Sequence, residues 1–544
     1  ARLTGGNSDN RIDASAFSGT VTLAGGAGHD TLLAAAGDDS VDGGTGTDEI
    51  RQTTDADQVL LNTSLTGDGN DTLASIERAE LTGGGSNNTL DPSGFTLGPV
   101  TLLGLAGNDT LHGSPGNDLI DGGTGSDQVR QTVDNDQAIT DTSLSGQGSD
   151  QLVSIEQAVL TGGSSDNDLD ASGFSAGPVT LVGADGNDTL TGTSTSDTLD
   201  GGPDTDTGRI VFDGSLVLTD STVVGPGNDT LVSIERFTIT GGGGDNRFDA
   251  SAYTLGSVTL DGAGGDDTLL GSTSDDTLIG GTGTDTIEQT VDGDQVLSDT
   301  TLQGLGTDSL SGFEQAVLSG GASDNLIDAG SFNGLGVTLA GAGGDDTLLG
   351  SSGNDSLDGG AGTDIGGQST DADQVATSTS LVGHGTDILA GIEGIRLTGG
   401  AGDNSLDATG FAAGPATLSG GNGDDTLRGT STSDSLDGGD GTDLVVQVTG
   451  SNQVLTNTTL TGLGLDVLSQ VERASLTGDN QSNHIDASAF TAGPVTVSGL
   501  FGDDTIAGSS SDDTLDGGNG LDVLSQASDT DQVLTNSTLT GYGN

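Results

Sequence analysis

The sequence predicts an all-β solenoid of about seven repeats, in which short strands stack coil upon coil. The first observation is an anchor of Leu or Ile, then Thr or Ser, then Gly, which returns after 78 residues once and after 79 residues five times. The second is that Gly and Asp interrupt the chain every eight to ten residues, and the runs between them are short, β-branched and rich in leucine. This pattern is typical of strands and turns. The anchors begin at Leu3, Leu81, Leu160, Ile239, Leu318, Leu397 and Leu476.

The repeats define the expected domain organisation, one continuous solenoid of 79-residue units with about four coils each. In a unit, a Gly-rich turn precedes L-D-A-S-x-F and V-T-L, three nine-residue blocks, D-x-D-Q-V-L, T-x-T-S-L, a turn x-G-x-G-x-D, and a closing S-I-E-R-A. Each block reads as a six-residue turn and a three-residue strand, so two blocks make one coil. The predicted repeats are 1–80, 81–159, 160–238, 239–317, 318–396, 397–475 and a truncated seventh, 476–544.

The composition limits the classes of partner. The 544 residues have a formal charge of −71, from 82 acidic and 11 basic residues, and include 99 Gly but no Cys, Met or Trp. A globule of this composition would stay disordered, whereas a repeat buries a thin continuous core. So acidic a chain is expected to repel nucleic acid and anionic membranes and to attract cations. No apolar run reaches the length of a membrane span.

The nine-residue blocks carry the chemistry, in the pattern G-G-x-G-x-D with an aliphatic residue two positions later. In Gly122–Asp127, the glycines allow positive φ, so the backbone can fold tightly and aim carbonyls inward. Asp127 adds a charged oxygen, and Val129 points into the coil. Calcium takes six to eight oxygens in a flexible shell, so one block encodes half a calcium site and half a core layer. The alternative is that these aspartates only form hydrogen-bonded turns.

The blocks resemble the repeats-in-toxin, or haemolysin-type, calcium-binding repeats of large repetitive bacterial extracellular proteins. The best-matching turns are Gly25–Asp30, Gly43–Asp48, Gly122–Asp127, Gly280–Asp285, Gly359–Asp364 and Gly438–Asp443. The resemblance implies a right-handed parallel β-roll with calcium ions bound between turns one coil apart. It therefore pairs Asp30 with Asp48, and each equivalent first aspartate with the second, as far as Asp504 with Asp522. It also implies secretion by a bacterium.

The candidate calcium ligands are the aspartates at the sixth position of these turns. They are Asp30, Asp48, Asp71, Asp109, Asp127, Asp150, Asp188, Asp206, Asp229, Asp267, Asp285, Asp308, Asp346, Asp364, Asp387, Asp425, Asp443, Asp466, Asp504 and Asp522. The middle block of each repeat often has Ser or Thr in place of Gly, which leaves three weaker candidates: Asp39, Asp118 and Asp355. The residue counts between the better turns predict a rod with all metal-binding turns on one edge and the Ser/Thr-rich turns on the other.

Three further columns recur once per repeat. An aromatic column is expected to fill the core: Phe17, Phe95, Phe174, Tyr253, Phe332, Phe411 and Phe490. A glutamate column is expected to form surface ion pairs with the Arg that follows it in three copies, or to contact a neighbouring chain: Glu77, Glu156, Glu235, Glu314, Glu393 and Glu472. A glutamine column is expected to bond strand backbone: Gln58, Gln137, Gln295, Gln374, Gln453 and Gln532.

We expect a non-catalytic, extracellular or cell-surface calcium-binding array that acts as a stiff stalk or filament subunit in adhesion or a biofilm matrix. No nucleophile–His pair, H-E-x-x-H motif or phosphate loop occurs, and every notable feature recurs about seven times. Unpaired strand edges at the ends of a solenoid predict end-to-end self-association. Two alternatives stay open. One is a multivalent rod that binds glycan, ice or a surface receptor, and the other is the repeat region of a secreted toxin or hydrolase.

Overall fold

The computed structural model consists of short β-strands joined by tight turns, which confirms the predicted all-β fold. It describes residues 1–525 and the backbone of two further strands, β61 (Val533–Leu534) and β62 (Leu539–Thr540), which pair antiparallel. Those residues contain no helix, and hence none that could cross a membrane. The chain divides into two compact units, residues 1–264 with 271–277 and residues 265–270 with 278–544.

The first unit contains two sheets between which the chain alternates. Its first sheet contains β1 (Arg2–Thr4), β3 (Thr22–Ala27), β5 (Ser40–Thr45), β7 (Gln58–Leu61), β8 (Ser64–Thr66), β9 (Asn70–Ala74), β11 (Thr89–Gly94), β13 (Thr110–His112), β15 (Gln128–Thr132), β19 (Gln157–Thr161), β21 (Val179–Val182), β23 (Thr198–Asp200), β25 (Ser215–Thr219), β26 (Thr222–Val224), β27 (Asn228–Val232) and β29 (Arg247–Ala252). Its second sheet contains β2 (Arg11–Asp13), β4 (Thr31–Leu33), β6 (Glu49–Thr53), β10 (Arg78–Thr82), β12 (Val100–Leu103), β14 (Leu119–Asp121), β16 (Gln137–Thr140), β17 (Ser143–Gly146), β18 (Gly148–Val153), β20 (Asp168–Gly173), β22 (Thr189–Thr191), β24 (Thr207–Val211), β28 (Arg236–Thr240) and β30 (Val258–Asp261).

The second unit repeats this arrangement. Its first sheet contains β31 (Thr268–Leu270), β33 (Thr286–Thr290), β37 (Gln315–Ser319), β39 (Gly336–Ala340), β41 (Ser356–Asp358), β43 (Gln374–Thr377), β44 (Ser380–Gly383), β45 (Gly385–Ala390), β47 (Ser405–Gly410), β49 (Thr426–Arg428), β51 (Leu444–Val448), β55 (Arg473–Thr477), β57 (Val495–Ser498) and β59 (Thr514–Asp516). Its second sheet contains β34 (Gln295–Ser298), β35 (Thr301–Gly304), β36 (Gly306–Ser311), β38 (Leu326–Ser331), β40 (Thr347–Leu349), β42 (Ile365–Ser369), β46 (Gly394–Thr398), β48 (Ala416–Asn422), β50 (Ser435–Asp440), β52 (Gln453–Thr456), β53 (Thr459–Gly462), β54 (Gly464–Ser469), β56 (His484–Ala489), β58 (Thr505–Ala507) and β60 (Val523–Ser525). The short strand β32 (Thr277–Ile279) lies where the residue ranges of the units alternate.

Most neighbouring strands pair in parallel and in a register that stacks equivalent residues. In the first unit, Leu81 of β10 pairs with Leu102 of β12, which pairs with Ile120 of β14. Each of these side chains is fully buried, because successive residues of a strand face opposite sides of the sheet. The inward residues of both sheets therefore form the thin core that the repeat pattern predicts, and the structure is a parallel β-roll.

One strand in each of the first six repeats runs against this parallel order. In the second repeat, β16, β17 and β18 form an antiparallel meander, with β17 between the other two strands. The outer strands continue the parallel sheet, since β18 pairs with β14 and β16 pairs with β20. The segments D-x-D-Q-V-L, T-x-T-S-L and x-G-x-G-x-D are therefore one folded insert and not successive coils.

The insert changes how consecutive repeats relate to the two sheets. Strands β10 to β15 alternate between the sheets, and the meander of β16 to β18 lies in one sheet, so the repeat makes seven passes, or three and a half coils. The meander consequently lies in the first sheet in one repeat (β7–β9), in the second sheet in the next (β16–β18), and in the first again (β25–β27). The sequence predicted about four coils per repeat because the three segments of the insert read as strands of successive coils.

The recurring aromatic and glutamine columns lie in the core as predicted. Phe95, Phe174, Tyr253, Phe332, Phe411 and Phe490 are almost fully buried, whereas Phe17 in the first repeat is 48 % exposed. The amide of Gln137 donates to the carbonyl of Thr161 at 2.8 Å, and the same bond recurs from Gln58, Gln295, Gln374 and Gln453. Gln532 lies outside the described residues.

One core position shows compensation between neighbouring strands. In the second repeat Val129 of β15 pairs with Ala158 of β19, whereas in the third repeat Gly208 of β24 pairs with Phe237 of β28. A Cβ at Gly208 would overlap the ring of Phe237, which is buried. The first strand loses side-chain volume where the second gains it, so the pair still fills the core. A close-packed core tolerates such volume-conserving changes best.

Candidate metal centre

Four stacked turns of a repeat join through a chain of hydrogen bonds, here called the carboxylate ladder. In the second repeat, the backbone N–H of Asn88 donates to Oδ1 of Asp109 at 2.7 Å, and the N–H of Asp109 donates to Oδ1 of Asp127 at 2.7 Å. The N–H of Asp127 donates in turn to Oε2 of Glu156 at 2.9 Å. Each side chain therefore receives the backbone donor of the turn before it, at the spacing of one strand.

The ladder confirms the pairing of first and second aspartates expected from the sequence. The N–H of the first aspartate donates to Oδ1 of the second at 2.7–3.0 Å in every described pair. The pairs are Asp30 with Asp48, Asp109 with Asp127, Asp188 with Asp206, Asp267 with Asp285, Asp346 with Asp364, Asp425 with Asp443, and Asp504 with Asp522. Because both members of each pair are held one strand apart, two carboxylates are presented together at one turn edge.

The backbone of these turns has a conformation that most side chains avoid. The second and fourth positions of every paired turn have positive φ, for example 97° at Gly123 and 151° at Gly125. Five first turns have Leu or Ala at the second position, and Leu105 has a φ of 75°. A non-glycine residue costs roughly 1–2 kcal/mol in this region. The fold therefore holds the open turn even where the sequence offers no glycine, which is typical of a functional site.

The open turn leaves one oxygen of each paired aspartate buried without a hydrogen-bond donor. Oδ1 is used in the ladder, whereas Oδ2 is shielded from solvent and has no partner. The affected residues are Asp30, Asp48, Asp109, Asp127, Asp188, Asp206, Asp285, Asp346, Asp364, Asp425, Asp443 and Asp504. A buried carboxylate oxygen without a donor is costly, so an arrangement repeated this often calls for a cation.

The first glycine of each paired turn lets backbone and carboxylate oxygens converge. A Cβ at Gly104 would overlap both Oδ2 of Asp109 and the carbonyl oxygen of Gly122. A Cβ at Gly122 would overlap the carbonyl of Ser154 and lie 2.7 Å from Oδ2 of Asp127. The glycines are thus required by close approach, and each turn supplies a carboxylate oxygen beside a carbonyl of the next turn.

Without a metal, burial raises the pKa of ten of the paired carboxyl groups: those of Asp48, Asp109, Asp127, Asp188, Asp206, Asp285, Asp346, Asp364, Asp425 and Asp443. The effect is largest in two second aspartates, where burial and the neighbouring carboxylates raise the pKa of Asp206 and Asp443 to about 6. Burial also raises the pKa of Asp109 and Asp127, with the carboxylate of Glu156 adding to the effect at Asp127. A cation between the turns would remove both causes, since it supplies a ligand and cancels the repulsion between like charges.

The middle turns also have an aspartate at the sixth position but satisfy it internally. In Gly113–Asp118, the N–H of Ser114 donates to Oδ2 of Asp118 at 2.6 Å and its hydroxyl donates to Oδ1 at 2.9 Å. The N–H of Val100 donates to the same Oδ1 at 2.7 Å. The second and fourth positions, Ser114 and Gly116, have no positive φ. Both oxygens of the three weaker candidates, Asp39, Asp118 and Asp355, accept hydrogen bonds in this way, so the closed turns leave no carboxylate oxygen without a donor.

The aspartates of the meander do not join the carboxylate ladder. Oδ1 of Asp150 accepts the N–H of Asp118, a middle-turn residue, at 2.9 Å, and the same bond joins Asp39 to Asp71, Asp197 to Asp229, Asp355 to Asp387 and Asp434 to Asp466. The number of residues between successive turns predicted that these aspartates stack above the paired turns, and the structure contradicts that prediction. The cause is the folded insert, which moves its turn to the other edge of the sheet.

The predicted single metal-binding edge is also contradicted. In the first repeat, the paired turn Gly43–Asp48 leads from β5 in the first sheet to β6 in the second. In the second repeat, the paired turn Gly122–Asp127 leads from β14 in the second sheet to β15 in the first. Because a repeat makes an odd number of passes, the ladders of consecutive repeats within a unit lie on opposite edges.

Sequence reasoning missed two members of the ladder. The Asn at its first position is the sixth residue of the Gly-rich turn that opens each repeat, so the turn pattern itself was the available signal. The Glu at its last position was expected in surface ion pairs, but among the described residues no ion pair joins Glu77, Glu235 or Glu472 to the following Arg. The glutamate accepts a ladder hydrogen bond instead.

The ladder fits calcium by the chemistry of its donors. No group of three or more His, Cys, Asp or Glu side chains that could hold a metal occurs within residues 1–525, so a site here uses two carboxylates and backbone carbonyls. Hard oxygen donors on a flexible, glycine-rich backbone suit calcium, which accepts backbone carbonyls and waters beside carboxylates. Magnesium, which demands near-ideal octahedral geometry, suits such a turn less well.

Comparison with known proteins agrees with this geometry. Seven segments of the chain match the family model of the RTX calcium-binding nonapeptide repeat. The matched segments are residues 22–50, 101–129, 180–207, 259–288, 338–365, 414–446 and 496–525. Each contains both paired turns of one ladder and the middle turn between them. No curated protein matches the chain. The chain therefore carries RTX repeats, which are calcium-binding motifs, in seven copies.

Proposed function

We propose that the chain is a calcium-stabilised structural repeat region in which the paired aspartates of each ladder are the metal ligands. The observation that supports this most directly is the buried, unpartnered Oδ2 atom, which recurs in both members of five pairs and in one member of the other two. The middle-turn aspartates are not included in the proposed site, because both of their oxygens accept hydrogen bonds. The meander aspartates are not included either: Oδ2 of Asp150 and of Asp387 is also buried without a partner, but each stands above a closed middle turn and not above a second open turn. Each of the seven repeats defined from the sequence would then hold one set of paired ligands.

Calcium would act as the folding switch of the array. Two like charges 4 Å apart repel by about 4 kcal/mol at an effective dielectric constant of 20, so stacked aspartate turns close poorly without a cation. A ligand that binds only the folded state stabilises it in proportion to the logarithm of its concentration. A chain with a charge of −71 would stay unfolded where calcium is scarce and fold where calcium is abundant, as it is outside cells.

The mechanical role follows from how the core is built. Within each unit every strand is fixed to its neighbours by backbone pairing, and the turns add carboxylate hydrogen bonds. Such a repeat is stiff along its stacking direction once its turns are closed. A non-catalytic spacer, stalk or filament segment of a secreted or surface protein is therefore the role that we propose. The charge also makes nucleic acid and anionic membranes poor partners for it.

Circular dichroism of the full chain, titrated with calcium and then with a chelator, tests the proposal. We expect a reversible gain of β signal that calcium produces at far lower concentration than magnesium. A β signal that is already complete in chelator would contradict it, and the aspartates would then be turn formers only. Equilibrium dialysis on the same samples gives the number of bound calcium ions, which separates site binding from general screening by salt.

A further inference from the structure

The short turn before each new repeat has the same unusual backbone in all six described copies. It has the form S-x-E or a variant, and the residue two positions before the glutamate has positive φ. The residues are Ser75, Ser154, Ser233, Gly312, Gly391 and Gln470, with φ between 48° and 70°. Serine and glutamine rarely adopt this conformation, so the turn is held by its surroundings for a structural or functional purpose.

The glutamate of this turn takes the place that a third paired aspartate would occupy. Its Oε2 accepts the N–H of the second aspartate of the ladder at 2.9–3.0 Å in all six repeats. The first aspartate makes the same bond to the second at 2.7–2.8 Å in these repeats. The glutamates are half-buried, and the bond occupies only one of their two oxygens.

The backbone carbonyl of this turn also reproduces the environment between the paired turns. Gly104, at the start of the first turn, has Oδ2 of Asp109 and the carbonyl of Gly122 at the position of a Cβ. Gly122, at the start of the second turn, has Oδ2 of Asp127 and the carbonyl of Ser154 there. The same pair of oxygens therefore converges at two successive levels, first between the paired turns and then between the second turn and the S-x-E turn.

The second aspartate supplies the evidence for a ligand at this upper level. Asp48, Asp127, Asp206, Asp285, Asp364 and Asp443 are completely buried, and each has an Oδ2 without a hydrogen-bond partner. In each case that oxygen lies beside the carbonyl of the S-x-E turn. A buried carboxylate oxygen with no donor, close to a backbone carbonyl oxygen, is an arrangement that a cation satisfies.

We propose that each S-x-E turn completes a second calcium site, formed between the second aspartate and the glutamate of the ladder. The first six repeats would each hold this ion in addition to one between the paired aspartates. The glutamate would contribute its free Oε1, and the S-x-E carbonyl would contribute a neutral oxygen. This inference rests on the proposed function, because it assigns a second ion to the same ladder. The S-x-E turn lies outside the matched RTX segments, each of which ends before the glutamate of its repeat.

The length of the side chain explains why glutamate replaces aspartate here. The paired turns have six residues between strands, and their backbone brings an aspartate to the site. The S-x-E turn has only three residues between β18 and β19, Ser154 to Glu156, so its acidic residue leaves a shorter loop. The longer side chain of Glu156 reaches the N–H of Asp127, from which its Oε2 accepts at 2.9 Å, and leaves Oε1 for the ion.

The test replaces all six glutamates by glutamine in the full chain and counts bound calcium by equilibrium dialysis. The variant is E77Q/E156Q/E235Q/E314Q/E393Q/E472Q. Glutamine keeps one oxygen to accept the ladder hydrogen bond, but its amide group replaces the oxygen that would bind the ion. We expect the variant to fold in excess calcium and to bind six fewer ions than the unchanged chain. The matched control is E80Q, since Glu80 pairs with Arg51 outside the ladder and should leave the count unchanged.

Each outcome separates this inference from the proposed function. If the unchanged chain binds calcium and the six-glutamine variant binds the same number with the same midpoint, the second site does not exist and the paired-aspartate sites stand. If the unchanged chain binds no calcium, both proposals fail. If the six-glutamine variant does not fold, the number of bound calcium ions is measured for the single variant E156Q instead. A loss of one ion then supports the second site, and an unchanged number of ions overturns it.

Discussion

The open turn Gly122–Asp127 and the closed turn Gly113–Asp118 lie nine residues apart and both have an aspartate at the sixth position. Asp127 has a buried oxygen without a donor, whereas both oxygens of Asp118 accept hydrogen bonds from its own turn or from Val100. The difference arises at the second position. In the open turn, Gly123 has positive φ and Oδ2 of Asp127 has no donor, whereas in the closed turn the N–H of Ser114 donates to Oδ2 of Asp118. An aspartate therefore keeps an oxygen free for a metal only where its own turn donates no N–H to that oxygen.

The largest expected effect comes from removing the charge at open and at closed turns in two matched variants. One replaces Asp by Asn at the second aspartate of the ladder in six repeats: Asp48, Asp127, Asp206, Asp285, Asp364 and Asp443. The other carries Asp to Asn at the closed turns of the same repeats: Asp39, Asp118, Asp197, Asp276, Asp355 and Asp434. We expect the first variant to lose calcium from every one of these ladders, because an amide nitrogen would replace the free oxygen. The second should keep the calcium count, although it loses turn hydrogen bonds and stability.

Equilibrium dialysis measures the number and affinity of the calcium ions bound by both variants, and circular dichroism in saturating calcium shows whether they fold. A ladder that still binds calcium with an affinity within tenfold of the unchanged chain, or about 1.4 kcal/mol, would contradict the assignment of its aspartates. Loss of calcium from the closed-turn variant alone would reverse the comparison, since it would place the ions at the middle turns.

A smaller effect is expected from adding a methyl group to a glycine in each turn class. Gly46 has a φ of 144° in an open turn of the first repeat, and a Cβ there would overlap the carbonyl of Gly28. Gly37 is at the equivalent position of the closed turn, has no positive φ, and its nearest neighbour would be 3.9 Å from a Cβ. We expect G46A to destabilise the fold by more than about 2 kcal/mol and to weaken calcium binding. G37A should change stability by less than about 1 kcal/mol. Thermal unfolding in calcium measures both, and equal losses would show that the turns do not differ in backbone strain.

The meander aspartates predict how stability depends on pH in the absence of calcium. Burial raises the pKa of Asp150 to about 7, and the carboxylate of Asp118 adds to this. A carboxyl group with a raised pKa binds its proton more tightly in the folded state, so its contribution is complete below the unfolded pKa near 4 and is lost as the pH rises to about 7. The metal-free fold should therefore be more stable at pH 5 than at pH 8.

The variant D150N isolates this contribution from that of the ladder. Asparagine keeps an oxygen for the N–H of Asp118 and is neutral at every pH, so the chain should gain stability at pH 8 and lose part of its pH dependence. The control D185N removes the same charge from an exposed position. Urea unfolding in chelator at the two pH values measures the effect. Equal pH dependence in the unchanged chain and in D150N would contradict the assignment.

The smallest expected effect comes from relieving strain in an open turn. Leu105 has a φ of 75° and its side chain is 48 % exposed, so little packing is lost on its removal. We expect L105G to stabilise the calcium-bound chain by up to about 1 kcal/mol, since glycine adopts this conformation without the steric penalty. A rise in the temperature of thermal unfolding in calcium would show it. An unchanged or lower temperature would mean that the flexibility of glycine in the unfolded chain offsets the relief.

Much of the fold and of the ladder was predictable because equivalent residues recur at a fixed spacing in every repeat. The 18-residue spacing between Asp109 and Asp127 equals one coil, so their pairing follows from strand geometry. The buried column that contains Phe174 follows from its recurrence in one register. The position of Asp150 did not follow, because the segments of the meander have the same short strands and Gly-rich turns as the coils around them. Strand direction depends on which edge is free to pair, and no local residue pattern reports that.

The sequence by itself determined the repeat length, the all-β character, the pairing of the aspartates and the choice of calcium, because these depend on periodicity and on the chemistry of oxygen ligands. Only the tertiary structure decided which aspartates have a free oxygen, since that depends on whether a backbone N–H of the same turn, such as that of Ser114, donates to the carboxylate. It also decided that Glu156 belongs to the ladder and that consecutive ladders change edge. The first fact depends on a hydrogen bond between turns 29 residues apart, and the second on the antiparallel meander, which gives the repeat an odd number of passes. Neither is reported by a local pattern of residues.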